Sequence, residues 1–583
     1  MILEAIYHRP KLNWAYAYDA NTIHLRLRTK RTDVLSVSVW AGDKYAWDTT
    51  NKLITMYIAY TDALFDYWEC EIKPPFHRLK YGFLLQSDSD TWWMTERSFQ
   101  QERPDKPDRL FEFPYMNPAD LYVVPMWVKE AVFYQIFPER FASGNPSLHV
   151  EGTLDWGGKP ERDNFFGGDL EGVIQHLDHM SSLGITAIYF TPIFEATTNH
   201  KYDTQDYMKV DPQFGDLDTL KRLVELCHAR DIKVLLDAVF NHSGKTFAPF
   251  IDVQKNGARS KYRDWFYVHE FPLAVKEGIP TYDTFGFEPL MPKLNTHNPE
   301  VRDYLLGVVR HWMREANIDG WRLDVANEVD QQFWREFRKT VKAINPDAYI
   351  LGEVWHEASP WLQGDQFDAV MNYPFTDALI DFIIRGTLDA EGFAHATSRQ
   401  LALYPRQASE VAFNILDSHD TPRLLSLCKG NQDLLKLAVL IQFTYIGTPC
   451  IFYGDEIGLS GEQDPDCRKC MEWDVTKQDL ELFAFYQKMI KLRKSYATLR
   501  EGSIHFLQAN QGGKVLVFER KLQNQSVIVA LNNDQNKATI SIPVNHPSWS
   551  DLSTGHAYVT QDGALSIELP AYGFTMLANL SPV

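Results

Sequence analysis

The segment DGWRLDVANE, residues 319–328, combines the alternation of a β-strand with charges that a buried strand usually lacks. Trp321 and Leu323 point to one face, while Arg322 and Asp324 share the other, because side chains alternate along a strand. Taken alone, this pairing is typical of a buried structural ion pair. The segment is one of several with the same construction, and that repetition decides the fold.

Eight short apolar runs alternate with helical patterns from about residue 127 onward. The helical periodicity is clearest in LDTLKRLVELCHAR (217–230) and VRDYLLGVVRHWMREA (301–316). Repeated strand–helix units predict an α/β fold, a (β/α)8 TIM barrel whose parallel strands are buried on both faces. The eight runs are AVFYQIFPERF, ITAIYFTPIF, IKVLLDAVFNH, IDGWRLDVANE, YILGEVW, FDAVMNYP, FNILDSHD and PCIFYGDEIG.

Three domains are expected, because 583 residues exceed what one hydrophobic core organises. Short alternating runs predict an N-terminal β-sandwich over 1–121, with a proline-rich linker at 102–118. The barrel is expected over 122–502, and its interval 243–298, with little helical periodicity, is interpreted as a subdomain inserted after the third strand. Alternating strands return in 503–583 and predict a C-terminal β-sandwich.

The composition excludes several classes of protein. A net charge of −19 with no basic stripe argues against nucleic acid or an anionic membrane as partner. The sequence contains no run of about 18 apolar residues, so no membrane span is predicted. The opening MILEAIYHRP lacks the features of a secretory signal. Sixteen Trp and 27 Tyr favour a sugar ligand, since both side chains combine an apolar face with a polar tip.

The six cysteines are scattered, and only Cys467 and Cys470 are close, in a single CxxC. With no second CxxC and no histidine pair at ligand spacing, free thiols are expected rather than a zinc site or a redox pair. Free thiols together with the absence of a recognisable signal indicate the cytoplasm.

Polar residues end most of the predicted barrel strands, and the C-terminal rim of a barrel is where active sites lie. Carboxylates gathered there without a metal cage suit glycoside hydrolysis, in which a retaining enzyme holds a nucleophile and an acid about 5–5.5 Å apart. Asp324 and Glu353 are the expected pair, and Arg322 is expected to keep Asp324 ionised, because a nearby cation favours the charged form. The polar rim residues are Asn199, His200, Tyr202, Asp203, Asp237, Asn241, His242, Arg322, Asp324, Glu353, His419 and Asp420.

Four segments in order resemble the signature regions of glycoside hydrolase family 13, the α-amylase family. They are DAVFNH (237–242), GWRLDVANE (320–328), GEVW (352–355) and FNILDSHD (413–420). The segment MPKLN (291–295), together with the N-terminal β-domain, is similar to the group of cyclomaltodextrinases, neopullulanases and maltogenic amylases.

The resemblance implies a role for each rim residue. Asp324 would be the nucleophile that forms a β-glycosyl intermediate, Glu353 the general acid and then the base, and Asp420 a stabiliser of the distorted sugar ring. Further substrate contacts would surround the reacting sugar in subsite −1, with Tyr202 stacking on it: His200, Tyr202, His242, Arg322 and His419. Asp464 and Arg468 would contact the substrate toward its non-reducing end.

Selectivity residues are implied at the acceptor side of the cleft. Glu328 and Trp355 would help to divide the glycosyl intermediate between water and a second sugar, so some transglycosylation is expected. Phe285 and Phe287 would guide a glucan chain into the cleft, or alternatively pack the inserted subdomain.

A homodimer is implied, in which each N-terminal domain is exchanged and narrows the partner's cleft. Tyr45 and Trp47 would then contact substrate, the alternative being two aromatic side chains of the sandwich core. A closed cleft of this kind would favour short or cyclic maltodextrins over starch.

No cofactor is expected to be required. Relatives carry an oxygen-rich calcium loop, but here the loop is SGNPSLHVEG (143–152), and only Asn145, Gly168 and Asp169 of that pattern remain. Calcium prefers about six to eight oxygen ligands, and Leu148 supplies none by its side chain. A tight calcium site is therefore not expected.

The resemblance thus implies a retaining α-glucan hydrolase. It would cleave α-1,4-glucosidic bonds of cyclomaltodextrins, short maltodextrins and pullulan, and poorly those of starch, to maltose and glucose. The alternatives are an oligo-1,6-glucosidase or α-amylase of the same family, and a non-catalytic barrel that binds sugar.

Overall fold

The N-terminal residues 1–121 fold into two antiparallel sheets that pack as the predicted β-sandwich. The computed structural model describes residues 1–507 and 513–579. Alternation explains the packing, since Ile23, Leu25 and Leu27 of one strand are all buried against the second sheet. The elements are β1 (Ala15–Ala17), β2 (Ile23–Lys30), β3 (Ser36–Gly42), α1 (Trp47–Thr50), β4 (Lys52–Thr55), β5 (Tyr57–Thr61), β6 (Phe65–Ile72), β7 (Leu79–Gln86), β8 (Thr91–Met94), β9 (Phe99–Gln100) and β10 (Phe111–Phe113).

The segment 102–118 is not a linker throughout. Strand β10 pairs with β7, and Phe111 lies opposite Tyr81 and is buried in the sandwich core. The prediction of a linker over the whole segment is wrong because proline-rich composition hid one short strand with an apolar anchor.

Within residues 122–502, all of which the structure describes, eight parallel strands form the predicted barrel. Adjacent barrel strands pair in parallel, and a bridge between Met371 and Phe413 joins the sixth strand to the seventh and closes the sheet. The barrel strands are β11 (Phe133–Ile136), β12 (Ala187–Phe190), β15 (Lys233–Ala238), β18 (Gly320–Leu323), β19 (Tyr349–Gly352), β20 (Ala369–Val370), β21 (Phe413–Asn414) and β22 (Thr448–Phe452), while β13 (Phe194–Ala196) with β14 (Thr204–Val210) and β16 (Val275–Lys276) with β17 (Ile279–Pro280) form two hairpins outside it.

Helices cover the outside of the barrel and confirm the two helical patterns at 217–230 and 301–316. The first begins at the cap Asp216, whose side chain accepts from the Thr219 amide, and the second begins at the cap Asn298. The helices are α2 (Trp127–Glu130), α3 (Pro138–Phe141), α4 (Leu170–Gln175), α5 (Leu177–Leu183), α6 (Leu217–His228), α7 (Ala248–Asn256), α8 (Pro299–Glu315), α9 (Gln331–Ile344), α10 (Tyr373–Ile380), α11 (Ala390–Leu403), α12 (Arg406–Glu410), α13 (Leu424–Leu427), α14 (Gln432–Thr444), α15 (Leu480–Ser495) and α16 (Ala497–Glu501).

The interval 243–298 holds more helix than its sequence indicates. Helix α7 buries Phe250 and Val253, but it spans too few turns for its periodicity to stand out. The remainder is loop with the β16–β17 hairpin, and its last part returns to the rim of the barrel, where Lys293 bridges to His242.

The C-terminal part of the chain is again antiparallel β-structure, as predicted. Val517, Ile528 and Leu577 belong to a separate apolar cluster between its sheets. Its strands are β23 (Ser503–Leu507), β24 (Val515–Leu522), β25 (Gln525–Asn532), β26 (Ala538–Pro543), β27 (Ser548–Asp551), β28 (Ala557–Val559), β29 (Ala564–Leu569) and β30 (Phe574–Ala578). In the described parts of the chain, every helix is too short or too polar to cross a membrane.

Candidate active site

Strand register brings the acidic residues of three adjacent strands to one end of the barrel. Asp237 on β15 lies opposite Arg322 on β18, and Leu323 on β18 lies opposite Gly352 on β19. The residues that follow these strands therefore leave the barrel side by side at its C-terminal rim, among them Asp324. This end of the barrel is the one predicted to carry the site.

One guanidinium holds three carboxylates. Arg322 Nη1 donates to Asp324 Oδ1 at 2.7 Å and to Asp237 Oδ2 at 3.0 Å, and its Nη2 lies 2.9 Å from Glu353 Oε2. The arginine is fully buried and so is Asp237, while Asp324 and Glu353 are nearly so. The charges on the alternating strand at 319–328 thus belong to an acidic cluster and not to a single ion pair.

Burial and Arg322 act in opposite directions on the charge of this cluster. Burial raises the pKa of Asp324 well above its usual value, and it raises the pKa of Asp237 to about 6, although Arg322 lowers both. The arginine is shared among three carboxylates, so its lowering effect on each is smaller than the burial penalty. The contact of Arg322 with Asp324 is the one that was expected, and it favours the ionised form of Asp324 against the effect of burial.

The second oxygen of Asp324 is free for chemistry. Asp324 Oδ2 is buried and has no hydrogen-bond partner among the described residues, and the same holds for His242 Nε2. Both residues line a cavity of about 720 Å³, which Glu353 and Asp420 also line. A buried polar atom without a partner is costly, so these two atoms suit a polar ligand that enters the cavity.

Glu353 is fixed by donors on both of its oxygens. Its Oε2 accepts from the Val325 amide at 2.8 Å, and its Oε1 accepts from Trp355 Nε1 at 3.1 Å. Val325 has a φ of 45°, an unusual value for a β-branched residue, which turns its amide toward the carboxylate. The Trp355 ring lines the cavity and stacks on Tyr373 with centroids 3.7 Å apart.

Asp420 lies in the wall of the same cavity against Arg468. Arg468 Nη2 is 3.2 Å from Asp420 Oδ1, and its Nη1 is 3.0 Å from Asp464 Oδ1. All three line the cavity. The arginine also donates to the carbonyl of His419 at 2.7 Å and so ties this loop to the seventh strand.

His419 and Arg322 lie behind the cavity wall, whereas both were expected to line it. His419 is fully buried, its Nε2 lies 2.6 Å from the Tyr202 hydroxyl and 3.2 Å from Asp420 Oδ2, and Gln135 contacts its Nδ1 at 2.7 Å. Burial and Arg468 hold the pKa of His419 well below its usual range, so the ring is neutral.

Tyr202 joins this histidine to the acidic cluster. Its ring stacks on His419 with an interplanar angle of 5°, and its hydroxyl donates to Asp237 Oδ2 at 3.1 Å. His200 lies beside it, lines the cavity and accepts from the Tyr202 amide at Nδ1, and burial lowers the pKa of His200 to about 4. Tyr202 also lines the cavity, as predicted for a residue that contacts sugar.

Glu328, Trp355 and Phe285 also line the cavity. Phe285 stacks on His242 with centroids 5.4 Å apart, so it both packs the inserted subdomain and faces the cavity. Phe287 is 69% exposed and is not part of the cavity wall.

Tyr45 and Trp47 do not reach this cavity within one copy of the chain. Tyr45 is 76% exposed, with the Arg78 guanidinium 4.8 Å from its ring centroid. Trp47 packs edge-on against Trp40 in a small aromatic cluster of the sandwich. Contact of either residue with substrate requires a second copy of the chain.

The candidate calcium ligands do not fit a calcium site. Both carboxylate oxygens of Asp169 accept from backbone amides, at 2.7 Å from Gly172 and 2.8 Å from Asn145. The side-chain oxygen of Asn145 accepts from Ser147, and a Cβ on Gly168 would meet backbone atoms of Glu139. These oxygens face hydrogen-bond donors, whereas a calcium ion needs an array of free oxygens. Among the described residues, no group of three acidic, histidine or cysteine side chains is arranged for a metal.

Several cavity residues were missed by the sequence reasoning. Arg140, Arg162 and Asp163 line the cavity, and Tyr373 supports Trp355 from behind. Arg140 is the second-to-last residue of the first predicted strand run and Tyr373 that of the sixth, so their position near the rim could have been noticed. The loop that carries Arg162 and Asp163 has no pattern that predicts its contact with the cavity.

Comparison with known proteins places all three parts of the chain in described families. The family described as "Alpha amylase, catalytic domain" matches residues 135–479, "Alpha amylase, N-terminal ig-like domain" matches 1–117, and "Maltogenic Amylase, C-terminal domain" matches 504–576. These matches agree with the barrel and the two β-domains of the structure.

Individual relatives are similar over nearly the whole chain. A cyclomaltodextrinase of a Bacillus species is 62% identical over 92% of this chain and 96% of its own. Neopullulanase 2 of Thermoactinomyces vulgaris is 46% identical over 99% of this chain and 100% of its own. A solved cyclomaltodextrinase structure superposes with a TM-score of 0.95 at 58% identity and covers 99% of this chain and 100% of that one.

Proposed function

Because this chain belongs to the α-amylase family, glycoside hydrolase family 13, we propose that its cavity hydrolyses α-1,4-glucosidic bonds with retention of configuration. The observation that carries the proposal is the pair Asp324 and Glu353 on one guanidinium, in the wall of one cavity. A retaining glycosidase needs a nucleophile and an acid with carboxyl groups about 5–5.5 Å apart, and the contact of both carboxylates with the same guanidinium supports such a pair. An inverting enzyme would need a wider separation that leaves room for water between them.

The first step forms a glycosyl-enzyme ester. Asp324 Oδ2 attacks the anomeric carbon while Glu353 gives its proton to the leaving glucosidic oxygen, so the bond to that oxygen breaks as the ester bond forms. Glu353 therefore enters protonated and Asp324 ionised, and the Arg322 guanidinium beside Asp324 favours its ionised form. Asp420 accepts hydrogen bonds from hydroxyls of the distorted sugar.

The second step returns the enzyme to its starting state. Glu353, now a carboxylate, takes a proton from water, the water oxygen bonds to the anomeric carbon, and Asp324 leaves as a carboxylate. Tyr202, His242 and His200 face the same sugar from the cavity wall and orient its hydroxyl groups. The free His242 Nε2 finds its partner there.

The stereochemistry of the first product tests this function. Proton NMR of a maltotriose digest, read before mutarotation, should show the α-anomer of the new reducing end. The variant Asp324→Asn should lose more than about 10³-fold in kcat/KM, because the ester cannot form, whereas the matched variant Asp178→Asn at a side chain that is 89% exposed should keep full activity. A β-anomer, or an active Asp324→Asn, would remove the proposal.

The substrates are cyclomaltodextrins, short maltodextrins and pullulan, with starch a poor substrate and maltose and glucose the main products. The names of the relatives, cyclomaltodextrinase and neopullulanase, support this assignment. Chromatography of digests of β-cyclodextrin, pullulan and starch, at equal mass, separates it from an α-amylase, which would favour starch, and from an oligo-1,6-glucosidase, which would leave all three largely intact. The presence of every acidic residue in place speaks against a barrel that only binds sugar.

A homodimer with exchanged N-terminal domains is proposed as the active assembly. The Tyr45 ring is exposed and is not part of the cavity wall of its own chain, which supports a role in the cleft of the partner. Sedimentation velocity should show a dimer, and Tyr45→Ala should raise KM for β-cyclodextrin about fivefold, since an interfacial tyrosine commonly contributes more than 1 kcal/mol. The control is Tyr57→Ala, an exposed tyrosine of the same domain. A monomer with unchanged KM would exclude the exchange.

A reducing compartment, the cytoplasm, and activity without a metal are proposed as well. The six cysteines are buried free thiols, which is typical of reducing surroundings. Asp169 gives its oxygens to backbone amides, so a chelator should leave the melting temperature unchanged. A fall of several degrees with EDTA that calcium reverses would show a calcium site.

A further inference from the structure

The motif MPKLN (291–295) joins the inserted subdomain to the rim of the barrel. The Ser243 amide donates to the Pro292 carbonyl at 3.0 Å, and the Leu294 amide donates to the Asn241 carbonyl at 3.0 Å. Lys293 thus lies opposite His242 in an antiparallel bridge beside the cavity. These backbone hydrogen bonds explain how the motif joins the barrel, but they give no role to the side chain of Lys293.

The Lys293 ammonium connects the junction to the acceptor side of the cavity. It donates to the side-chain oxygen of Asn241, to the Glu328 carbonyl at 3.1 Å, and to Glu328 Oε2 at 3.3 Å. The lysine side chain is 19% exposed, and the Glu328 side chain is 44% exposed. Because one end of this pair is anchored to the barrel through Asn241, the glutamate is held against a fixed point.

Glu328 lies in the cavity wall, whereas Lys293 does not. The same wall includes Trp355, whose indole donates to Glu353, so this part of the cavity borders the acid on the side where a leaving group or an acceptor binds. A carboxylate there can accept hydrogen bonds from sugar hydroxyls through the oxygen that Lys293 does not engage.

We propose that Lys293 is a positioning residue that holds the Glu328 carboxylate for an acceptor sugar and thereby sets how the glycosyl group is divided between sugar and water. The inference rests on the proposed function. It gives the lysine of MPKLN a physical role, since an uncharged residue there would leave Glu328 free to turn into solvent.

The transfer step uses the same bonds as hydrolysis. An acceptor hydroxyl oxygen bonds to the anomeric carbon as the ester bond to Asp324 breaks, Glu353 takes the hydroxyl proton, and Asp324 leaves as a carboxylate. Water and an acceptor sugar compete for the same glycosyl-enzyme ester, and the outcome depends on how often each occupies the part of the cavity beside Glu353. A glutamate that is already ordered loses less conformational freedom on binding the sugar, so ordering favours transfer by about threefold to tenfold.

The test compares transfer with hydrolysis in one reaction. β-Cyclodextrin is the donor, glucose at high concentration is the acceptor, and chromatography gives the ratio of transfer products to hydrolysis products. Lys293→Met and Glu328→Gln should each lower this ratio about threefold to tenfold, and the double variant should be no lower than Glu328→Gln alone. Lys276→Met, which removes a second lysine that pairs with a glutamate of the inserted subdomain, should leave the ratio unchanged.

The outcomes distinguish this inference from the function on which it rests. A wild-type enzyme that does not hydrolyse β-cyclodextrin counts against the proposed function. A wild-type enzyme that hydrolyses but transfers nothing to glucose, or a Lys293→Met variant with the wild-type ratio, overturns the role of Lys293, as does a double variant whose loss is the product of the two single losses. If Lys293→Met does not fold, Lys293→Gln, which keeps a donor for Asn241 but not the charge, must lower the ratio, and Lys293→Arg must largely keep it.

Discussion

Arg322 is the residue on which the arrangement of the acidic cluster depends. It is the one cation within reach of Asp237, Asp324 and Glu353 among the described residues, and it engages them through both terminal nitrogens. A planar guanidinium can bridge carboxylates on different strands, whereas a lysine ammonium acts as a single point charge.

The variant Arg322→Lys should therefore fold but lose about 100-fold or more in kcat/KM, since one of the two proposed catalytic carboxylates loses its fixed position. Steady-state kinetics on β-cyclodextrin with circular dichroism of the same samples gives the answer. Arg335→Lys, at an exposed ion pair with Asp365, is the matched control and should behave as the wild type. Near-normal activity of Arg322→Lys would show that a point charge is enough.

Residue types at strand ends were sufficient to predict most of the candidate site. Asp324, Glu353, Asp420 and Trp355 do meet in one cavity. The depth of His419 could not be predicted, because strand position does not say whether a side chain reaches the cavity or stops behind its wall. The sharing of Arg322 among three carboxylates also could not be predicted, because it depends on the register of neighbouring strands.

At the scale of elements, the register of β15, β18 and β19 sets the position of the acidic groups. Gly352 ends β19 directly before Glu353, and a Cβ at this glycine would lie 2.5 Å from the ring of Phe367. The strand can therefore approach its neighbours in this register only with glycine at that position.

The variant Gly352→Ala should lower the free energy of unfolding by about 1–3 kcal/mol, because an extra methyl group is forced into a packed core. It should also reduce activity, because Glu353 shifts with the strand. Gly307→Ala is the contrasting control, since its helix has open space at that Cβ, and it should raise the free energy of unfolding by about 0.5–1 kcal/mol. Urea denaturation monitored by fluorescence measures both. Equal effects of the two substitutions would contradict the argument from packing.

Helices and strands could be predicted from the sequence where their hydrophobic pattern repeats over many residues, but not where an element is short. Eight strand–helix units specified the barrel, but strand β10 and helix α7 were missed because each offers only a few residues of pattern. The proline content hid strand β10, and the position within the insert hid helix α7. In the structure the burial of Phe111 identifies β10 and the burial of Phe250 identifies α7.

At the scale of the whole molecule, buried neutral histidines couple folding to pH. His8 in the N-terminal sandwich is held between the Arg26 carbonyl at 2.7 Å and the Tyr81 hydroxyl at 3.0 Å, and burial lowers its pKa from 6.5 to about 3. In the unfolded chain His8 binds a proton below about pH 6.5, whereas in the folded chain it does so only near pH 3. The contribution of His8 to the free energy of unfolding is therefore fully present above pH 6.5 and is lost as the pH falls toward 3.

At pH 5 the loss from His8 amounts to about 2 kcal/mol, since each pH unit below 6.5 contributes about 1.4 kcal/mol. Carboxylates with raised pKa, such as Asp237, act in the opposite direction, so the comparison must be made between variants. His8→Gln should show a smaller fall in melting temperature from pH 7.5 to pH 5 than the wild type, and His77→Gln at an exposed position should match the wild type. Parallel melting curves for His8→Gln and wild type across this range would refute the linkage.

Trapping of the covalent intermediate tests the central claim most directly. The variant Glu353→Gln lacks the base that releases the ester, while α-maltosyl fluoride supplies a leaving group that needs no acid. Peptide mass spectrometry after a short incubation should find one maltosyl unit on the peptide that contains Asp324. A maltosyl group on any other residue, or release of maltose of inverted configuration without a trapped adduct, would contradict the account.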